Sequence, residues 1–240
     1  LVLGACVLLT TSDAHAYRPF DGTDGDVADL GDLEMEVGPV GYLRQVHASS
    51  LVAPALVANY GFLPGWELVV EGNGVFPIEA GSRPQLVDTG VFLKHLLRAG
   101  ALQGKSGLSL ATEVGVLPPT VNAEPGSGLY VGLIASQVWR ELTIHFNIEL
   151  MRARDGLGEL FASAILEGSS RRRIRPVAEL YVDTHAGVTT PSALVGFIWR
   201  ASEHVSVDAA TRLATTAGAP VFEVRAGFTW TIPTLRAGNR

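Results

Sequence analysis

Six histidines, 24 acidic side chains and a single cysteine are the groups through which this 240-residue chain could do chemistry. Hydrolysis would need a hydroxyl or thiol nucleophile beside a base that an acid orients. None of His15, His47, His95, His145, His185 and His204 stands in a G-x-S-x-G or H-E-x-x-H context. His145 shares a polar strand face with Asn147 and Glu149, and Ser109 or Ser163 could complete a Ser–His–acid set. Nothing in the spacing demands that set. A hydrogen-bonded histidine is the simpler account, so no catalytic residue is assigned and the chain is not read as an enzyme. Asp21, Asp24, Asp26, Asp29 and Asp32 raise calcium as a ligand. The EF-hand pattern fails, because alternate ligands do not recur and no Glu occupies the twelfth position. A solvated lead-in explains these aspartates, and no metal or cofactor is expected.

Cys6 belongs to an apolar stretch, Leu1–Leu9, followed by a small-x-small site at Ala14-His15-Ala16. This is the pattern of a secretory signal, here truncated at its N-terminus and cleaved before Tyr17. A lipoprotein reading of Leu3-Gly4-Ala5-Cys6 is weaker, because apolar residues continue past the cysteine. Cleavage removes Cys6 and Asp13, leaving a chain without cysteine and a net charge of −5 instead of −6. Cysteine chemistry is thereby excluded, and an exported protein without a disulfide needs another source of cohesion.

The elements that must position the remaining polar groups follow from composition and alternation. The chain is 47% hydrophobic and only 18% charged, against about 25% charged in an ordinary soluble domain. Its mean hydropathy is +0.26. Past the first dozen residues no apolar run reaches helix-spanning length, which excludes a polytopic helical membrane protein. The apolar content excludes disorder. The negative net charge excludes a nucleic-acid binder of the usual basic kind. What is left is a soluble secreted β-barrel or a transmembrane one.

Alternation with a period of two is widespread and marks strands with two unlike environments. Leu142, Ile144, Phe146, Ile148 and Leu150 oppose Thr143, His145, Asn147 and Glu149. The segment from Phe222 to Ile232 alternates likewise, as do Leu33/Met35/Val37 against Glu34/Glu36 and Trp66/Leu68/Val70 against Glu67/Glu71. Val205/Val207/Ala209 oppose Ser206/Asp208, with Arg212 continuing the polar series. Weaker candidates at 51–60, 85–97, 107–116, 129–139, 157–167, 174–183 and 192–199 bring the total to twelve strands, within a range of ten to fourteen. Strands of soluble sandwiches run about five or six residues, whereas about nine to eleven are needed to cross a bilayer at a tilt. With only two lysines, Lys94 and Lys105, the chain also lacks a lysine-studded exterior. The predicted fold is therefore all-β: an antiparallel up-and-down transmembrane barrel over 33–232. A signal peptide at 1–16 and an Asp-rich periplasmic lead-in at 17–32 precede it, and a C-terminal tail at 233–240 follows.

With the N-terminus on the periplasmic side, Trp66, Trp139, Trp199 and Trp230, joined by Tyr60 and Phe62, fall at one interface as an aromatic girdle. Parity directs Glu34, Glu36, Glu67, Glu71, Asp88, Glu113, Glu149, Glu179, Asp183, Asp208 and Glu223 into the lumen with His145 and Asn147. Lys94, Arg212 and Arg225 are their only counterparts in that set. Register places Arg212 opposite Glu223, Arg225 diagonal to Asp208 and Lys94 opposite Glu67, pairings that stabilise a sheet. Arg171–Arg173 and Arg175 are placed in a solvated periplasmic hairpin. Pro77–Pro84, Pro118–Gly128 and Thr184–Pro191 are expected as outer loops, none long enough to plug the barrel.

Particular motifs add a resemblance. They are Arg18-Pro-Phe-Asp-Gly-Thr-Asp24, Asn59-Tyr-Gly61 followed by Trp66-Glu-Leu68, Asp88–Leu97 with Lys94, Thr112–Val121, and Arg225-Ala-Gly-Phe-Thr-Trp230. Through them the chain resembles bacterial outer-membrane proteins assigned to transport in the MetA pathway of phenol degradation. The resemblance implies a barrel and the passage of small molecules. Expected partners are outer-membrane lipid and small solutes, with surplus carboxylates favouring cations. Twelve strands lie between the filled interior of eight and the open channel of sixteen, so an open lumen and a plugged one both stay in play. The alternatives are a non-conducting structural or interaction barrel, and a barrel-embedded hydrolase around His145.

Overall fold

A computed structural model describes residues 18–45 and 48–234. The expected signal segment, with His15, and His47 lie outside the described residues, as does most of the expected tail. Twelve strands follow one another: β1 (Asp32–Gln45), β2 (Ala48–Leu63), β3 (Trp66–Pro77), β4 (Gln85–Arg98), β5 (Ser109–Leu117), β6 (Gly128–Trp139), β7 (Leu142–Arg152), β8 (Gly158–Gly168), β9 (Ile174–His185), β10 (Val188–Arg200), β11 (Val205–Thr216) and β12 (Ala219–Pro233). Each pairs antiparallel with its neighbours in sequence, and β1 pairs with β12 to close the barrel. The fold is the twelve-stranded up-and-down barrel that the alternation predicts.

The two faces of the wall differ as lipid differs from water. Outward side chains are large, apolar and exposed, among them Phe146, Leu180, Val195 and Leu213. Inward ones are polar and buried, with Glu36, Glu67, Lys94, Asn147, Glu179 and Asp208 each at most 1% exposed. A soluble barrel would reverse this distribution, because a continuous apolar exterior needs a non-aqueous solvent. All four tryptophans lie at the end where β1 begins, the near end. Trp66 pairs with His95, Trp139 with Leu142, Trp199 with Ile174 and Trp230 with Val205. Trp66 also stacks on the His95 ring, with centroids 4.0 Å apart. Tyr60 reaches the same end opposite Leu33.

Three features of the wall depart from the expected layout. Thr184–Pro191 is not a loop. The ladder of β9 and β10 continues through it, from Asp183–Thr190 to His185–Val188, and turns on Ala186 and Gly187 alone. Both adopt positive φ, 52° and 77°, the conformation of a two-residue hairpin turn whose twist matches its strands. Asp88 leaves the inward series because the β3–β4 register slips between Glu71 and Asn73. It stands exposed at the far rim with φ 50° and accepts a hydrogen bond from Asn73 Nδ2 at 3.0 Å. Arg175 is not in the hairpin but on the inner face of β9, 8% exposed, with its Nε 3.2 Å from Glu167 Oε2.

The largest departure is the Asp-rich segment. Its described residues 18–31 do not trail into solvent; they turn back through the near half of the lumen. No loop is long enough to fill the barrel, but the segment before β1 enters it. Backbone amides inside a barrel need acceptors that the closed ladders do not offer, and the inward carboxylates supply them.

Candidate functional site: the lumen and the segment within it

Residues 18–31 contact most of the inner wall in turn. The Arg18 amide donates to Glu36 Oε2 at 3.1 Å, and its guanidinium donates to the Ala226 carbonyl and lies 3.5 Å from Asp208. Glu179 accepts from the amides of Asp21 and Gly22, at 2.8 and 2.9 Å, one through each carboxylate oxygen. Asn147 Oδ1 accepts from the Thr23 amide and Ser136 Oγ from that of Gly25. Glu67 accepts from Ala28, and the Gly61 carbonyl from Gly31. Lys94 Nζ donates to Thr23 Oγ1 at 3.2 Å and lies 3.6 Å from Asp24. From the β4–β5 connection, Gln103 donates to Asp26 Oδ1, which gives that long near-end turn a role. Seven of the segment's backbone amides thus find acceptors on the inner wall, and these bonds seat it.

Glycine makes room for it at Gly61. A Cβ there would overlap the carbonyl oxygens of Ala28 and Asp29, which are backbone atoms and cannot swing aside. Gly61→Ala is therefore expected to lift the segment from β2 while leaving the barrel ladder intact. Limited proteolysis of the folded protein should then cut within residues 18–31 faster than in wild type; equal rates would show that the segment is not seated there.

The charged side chains predicted for the lumen divide into two groups. Glu34, His145, Asn147, Glu179 and Asp208 lie around the segment and away from open space. Glu36, Glu67, Glu71, Lys94, Glu113, Glu149, Asp183, Arg212, Glu223 and Arg225, with Asp88 at the rim, line a cavity of about 640 Å³. Its floor is Arg18 and Phe20 to Thr23. The predicted ion pairs hold in part. Arg212 Nε meets Glu223 Oε2 at 2.8 Å across the β11–β12 ladder, and Arg212 also donates to the Tyr181 hydroxyl. Arg225 Nε lies 3.1 Å from Glu223, while its Nη2 reaches Asp21 at 2.9 Å instead of Asp208. Lys94 stands opposite Glu67 in register and additionally meets the segment.

Several participants escaped the sequence reading: Arg18, Asp21, Asp24, Arg175, Glu167, and the apolar lumen residues Val57, Val69, Phe92 and Tyr130. Parity holds the signal for Phe92, two residues from Lys94, and for Tyr130, six from Ser136. No local signal exists for Arg18, whose partners lie on β1, β11 and β12.

A serine does stand within reach of His145. It is Ser136, not Ser109 or Ser163, with Oγ 2.8 Å from Nδ1, while Nε2 lies 3.4 Å from Glu167. Ser136 is fully buried under Gly25, and neither it nor His145 lines the cavity. Ser109 instead bonds Gln103, and Ser163 bonds Asn147. The Ser136–His145–Glu167 chain thus ties β6, β7 and β8 together beneath the segment. At the far end, outside the bilayer, the Leu157 amide and the His185 ring hold the Asp155 carboxyl below its ordinary range and tie down the β7–β8 turn.

A closed wall with a lipid-facing exterior, an aromatic end and a charged lumen defines a β-barrel of the outer-membrane type. Solved structures agree on that fold. The chain is similar to an outer membrane channel from Pseudomonas putida F1, with a TM-score of 0.65 at 8% identity over 89% of this chain and 100% of that one. It is also similar to the NanC porin (TM-score 0.56, 8% identity, 83% and 98% coverage) and the KdgM porin (0.55, 10%, 83% and 98%). No protein-family model and no curated protein matches the sequence. The phenol-pathway resemblance accordingly rests on its hairpin motifs alone.

Proposed function

We propose that this protein passes small solutes across the outer membrane, favours cations over anions, and is closed by its own residues 18–31. The carrying observation is the cavity: nine carboxylates line it against Arg18, Lys94, Arg212 and Arg225, and it ends on a segment that runs on into β1 and is otherwise held by hydrogen bonds and ion pairs. An excess of one sign of charge within low-dielectric walls concentrates counter-ions. The fold likeness to an outer membrane channel and two porins supports the reading, as does the lipid-facing exterior. Export through a cleaved signal and residence in outer-membrane lipid belong to the same proposal; heat-modifiable gel migration of the membrane fraction checks them.

Planar-bilayer recording tests the rest. Under a salt gradient the reversal potential should show cations preferred by about tenfold. Replacing Glu71 and Glu149 together by Gln should reduce that preference severalfold. Anion preference, or a preference indifferent to both substitutions, would overturn the acidic-lumen account. A silent bilayer, with no liposome swelling even after the segment is removed, would favour the second reading, a barrel that holds structure or partners without conducting. That reading draws on the seated segment itself.

A further inference from the structure

The upper lumen carries more recognition surface than simple passage requires. Inward positions of β4, β5 and β6 hold Gly90, Gly115 and Gly132. A Cβ at Gly90 or Gly115 would overlap the Phe92 ring, and one at Gly132 would come within 2.7 Å of the Tyr130 hydroxyl. The glycines thus let both rings lie back against the wall, edge to face with centroids 5.0 Å apart, instead of standing across the lumen. Val57 and Val69 extend this apolar surface.

Carboxylates border it. Glu71 pairs in register with Gly90, and Gly132 lies between Glu113 and Glu149. Two further acceptors of the same cavity wall, Glu67 Oε1 and Asn59 Oδ1, have no hydrogen-bond partner, and both residues are fully buried. Carboxylate and amide oxygens accept hydrogen bonds, and a buried acceptor left unmet is costly. Lys94 stands opposite Glu67 and Glu113 in register, whereas Glu71 and Glu149 have no basic residue opposite them on either neighbouring strand. Among the described residues no group of His, Cys, Asp and Glu is gathered closely enough to hold a metal ion. A cation that fits must therefore carry its own N–H donors and an apolar body to lie on the rings, where a ring face attracts positive charge as well.

We propose that the cavity binds a small organic ammonium ion, a protonated primary amine on an apolar or aromatic body. The ammonium donates to the wall of Glu71, Glu113 and Glu149, and the body rests on Phe92 and Tyr130. The proposal deepens the solute-passage reading and rests on it for the ligand's route into the cavity.

Titration calorimetry of the purified, detergent-solubilised protein at neutral pH tests it, with phenethylamine, 2-phenylethanol, benzoate and tetramethylammonium as probes. Saturable binding is expected for phenethylamine, weaker binding for tetramethylammonium because it lacks N–H donors, and none for 2-phenylethanol or benzoate. The Glu71→Gln/Glu149→Gln variant, checked for heat-modifiable migration, should lose affinity by about tenfold or more, the scale of a charge-assisted contact. Equal binding of the alcohol and the amine would reduce the site to an apolar slot and overturn the proposal, as would no binding of the amine. Should the double variant fail to fold, the order of the four probes on the wild-type protein decides alone. Conductance is read separately: binding without conductance defeats the transport reading and keeps the site, and conductance without binding defeats only the site.

Discussion

Deleting residues 18–31 is expected to raise single-channel conductance by about tenfold or more, because a twelve-stranded lumen emptied of its inner segment approaches an open pore. The expectation rests on where the segment lies. It forms the cavity floor, and its amides take up Glu36, Glu67 and Glu179, which water would otherwise solvate. The barrel itself should survive, since its ladders run continuously from β1 round to β12 without the segment. Recording in planar bilayers, with heat-modifiable migration as the folding control, gives the answer. Conductance unchanged by the deletion would mean that the segment is not what closes the lumen. Wild-type and Gly61→Ala proteins make the graded comparison, since Gly61→Ala loosens the segment at one point only.

A second large effect is expected at Arg225. Its guanidinium, with the side chain 14% exposed, spans Asp21 and Glu223 and also donates to the Pro19 carbonyl. Replacing it with Met keeps the bulk but strands Asp21 and leaves Glu223 with Arg212 as its remaining ion-pair partner. Removing one partner of a buried ion pair costs about 3 kcal/mol or more. Arg225→Met should therefore lower stability by about that amount in reversible urea unfolding from liposomes. Arg225→Lys should recover part of the loss, because it restores charge without the planar fork that serves two carboxylates at once. Wild-type stability in Arg225→Met would show that the network contributes nothing net, as happens when desolvation offsets attraction.

Much of this molecule was legible in residue alternation. Unlike surroundings on the two faces impose a period of two on most strands, so parity assigns Glu36, Lys94, His145 and Arg212 to the inner face, where the structure places them. Parity fails where the pleat fails. One slipped register at Glu71–Asn73 sends Asp88 to the rim, and no sequence feature announces the slip. Arg175 was lost for a related reason: its neighbours Arg171–Arg173 suggested a solvated turn, yet β9 starts at Ile174. The inner segment was illegible in principle. Its contacts are made chiefly by backbone amides, which carry no sequence signature, and they bridge long distances along the chain, 208 residues from Arg18 to Ala226. The aspartates that looked like a mark of solvation are in part lumen ligands, Asp21 for Arg225 and Asp24 for Lys94.

The pairing of β1 with β12 also limits how this barrel can associate with other molecules. Every strand already has two neighbours, so the wall has no edge strand to which another protein could add one of its own. Adhesion to a second barrel, or capture of an envelope protein, must go through the lipid-facing side chains or through the connections at either end. The exterior is smooth and aliphatic over most of its height, with its tryptophans gathered at the near rim. Directional, polar recognition by a neighbouring macromolecule is therefore confined to the turns.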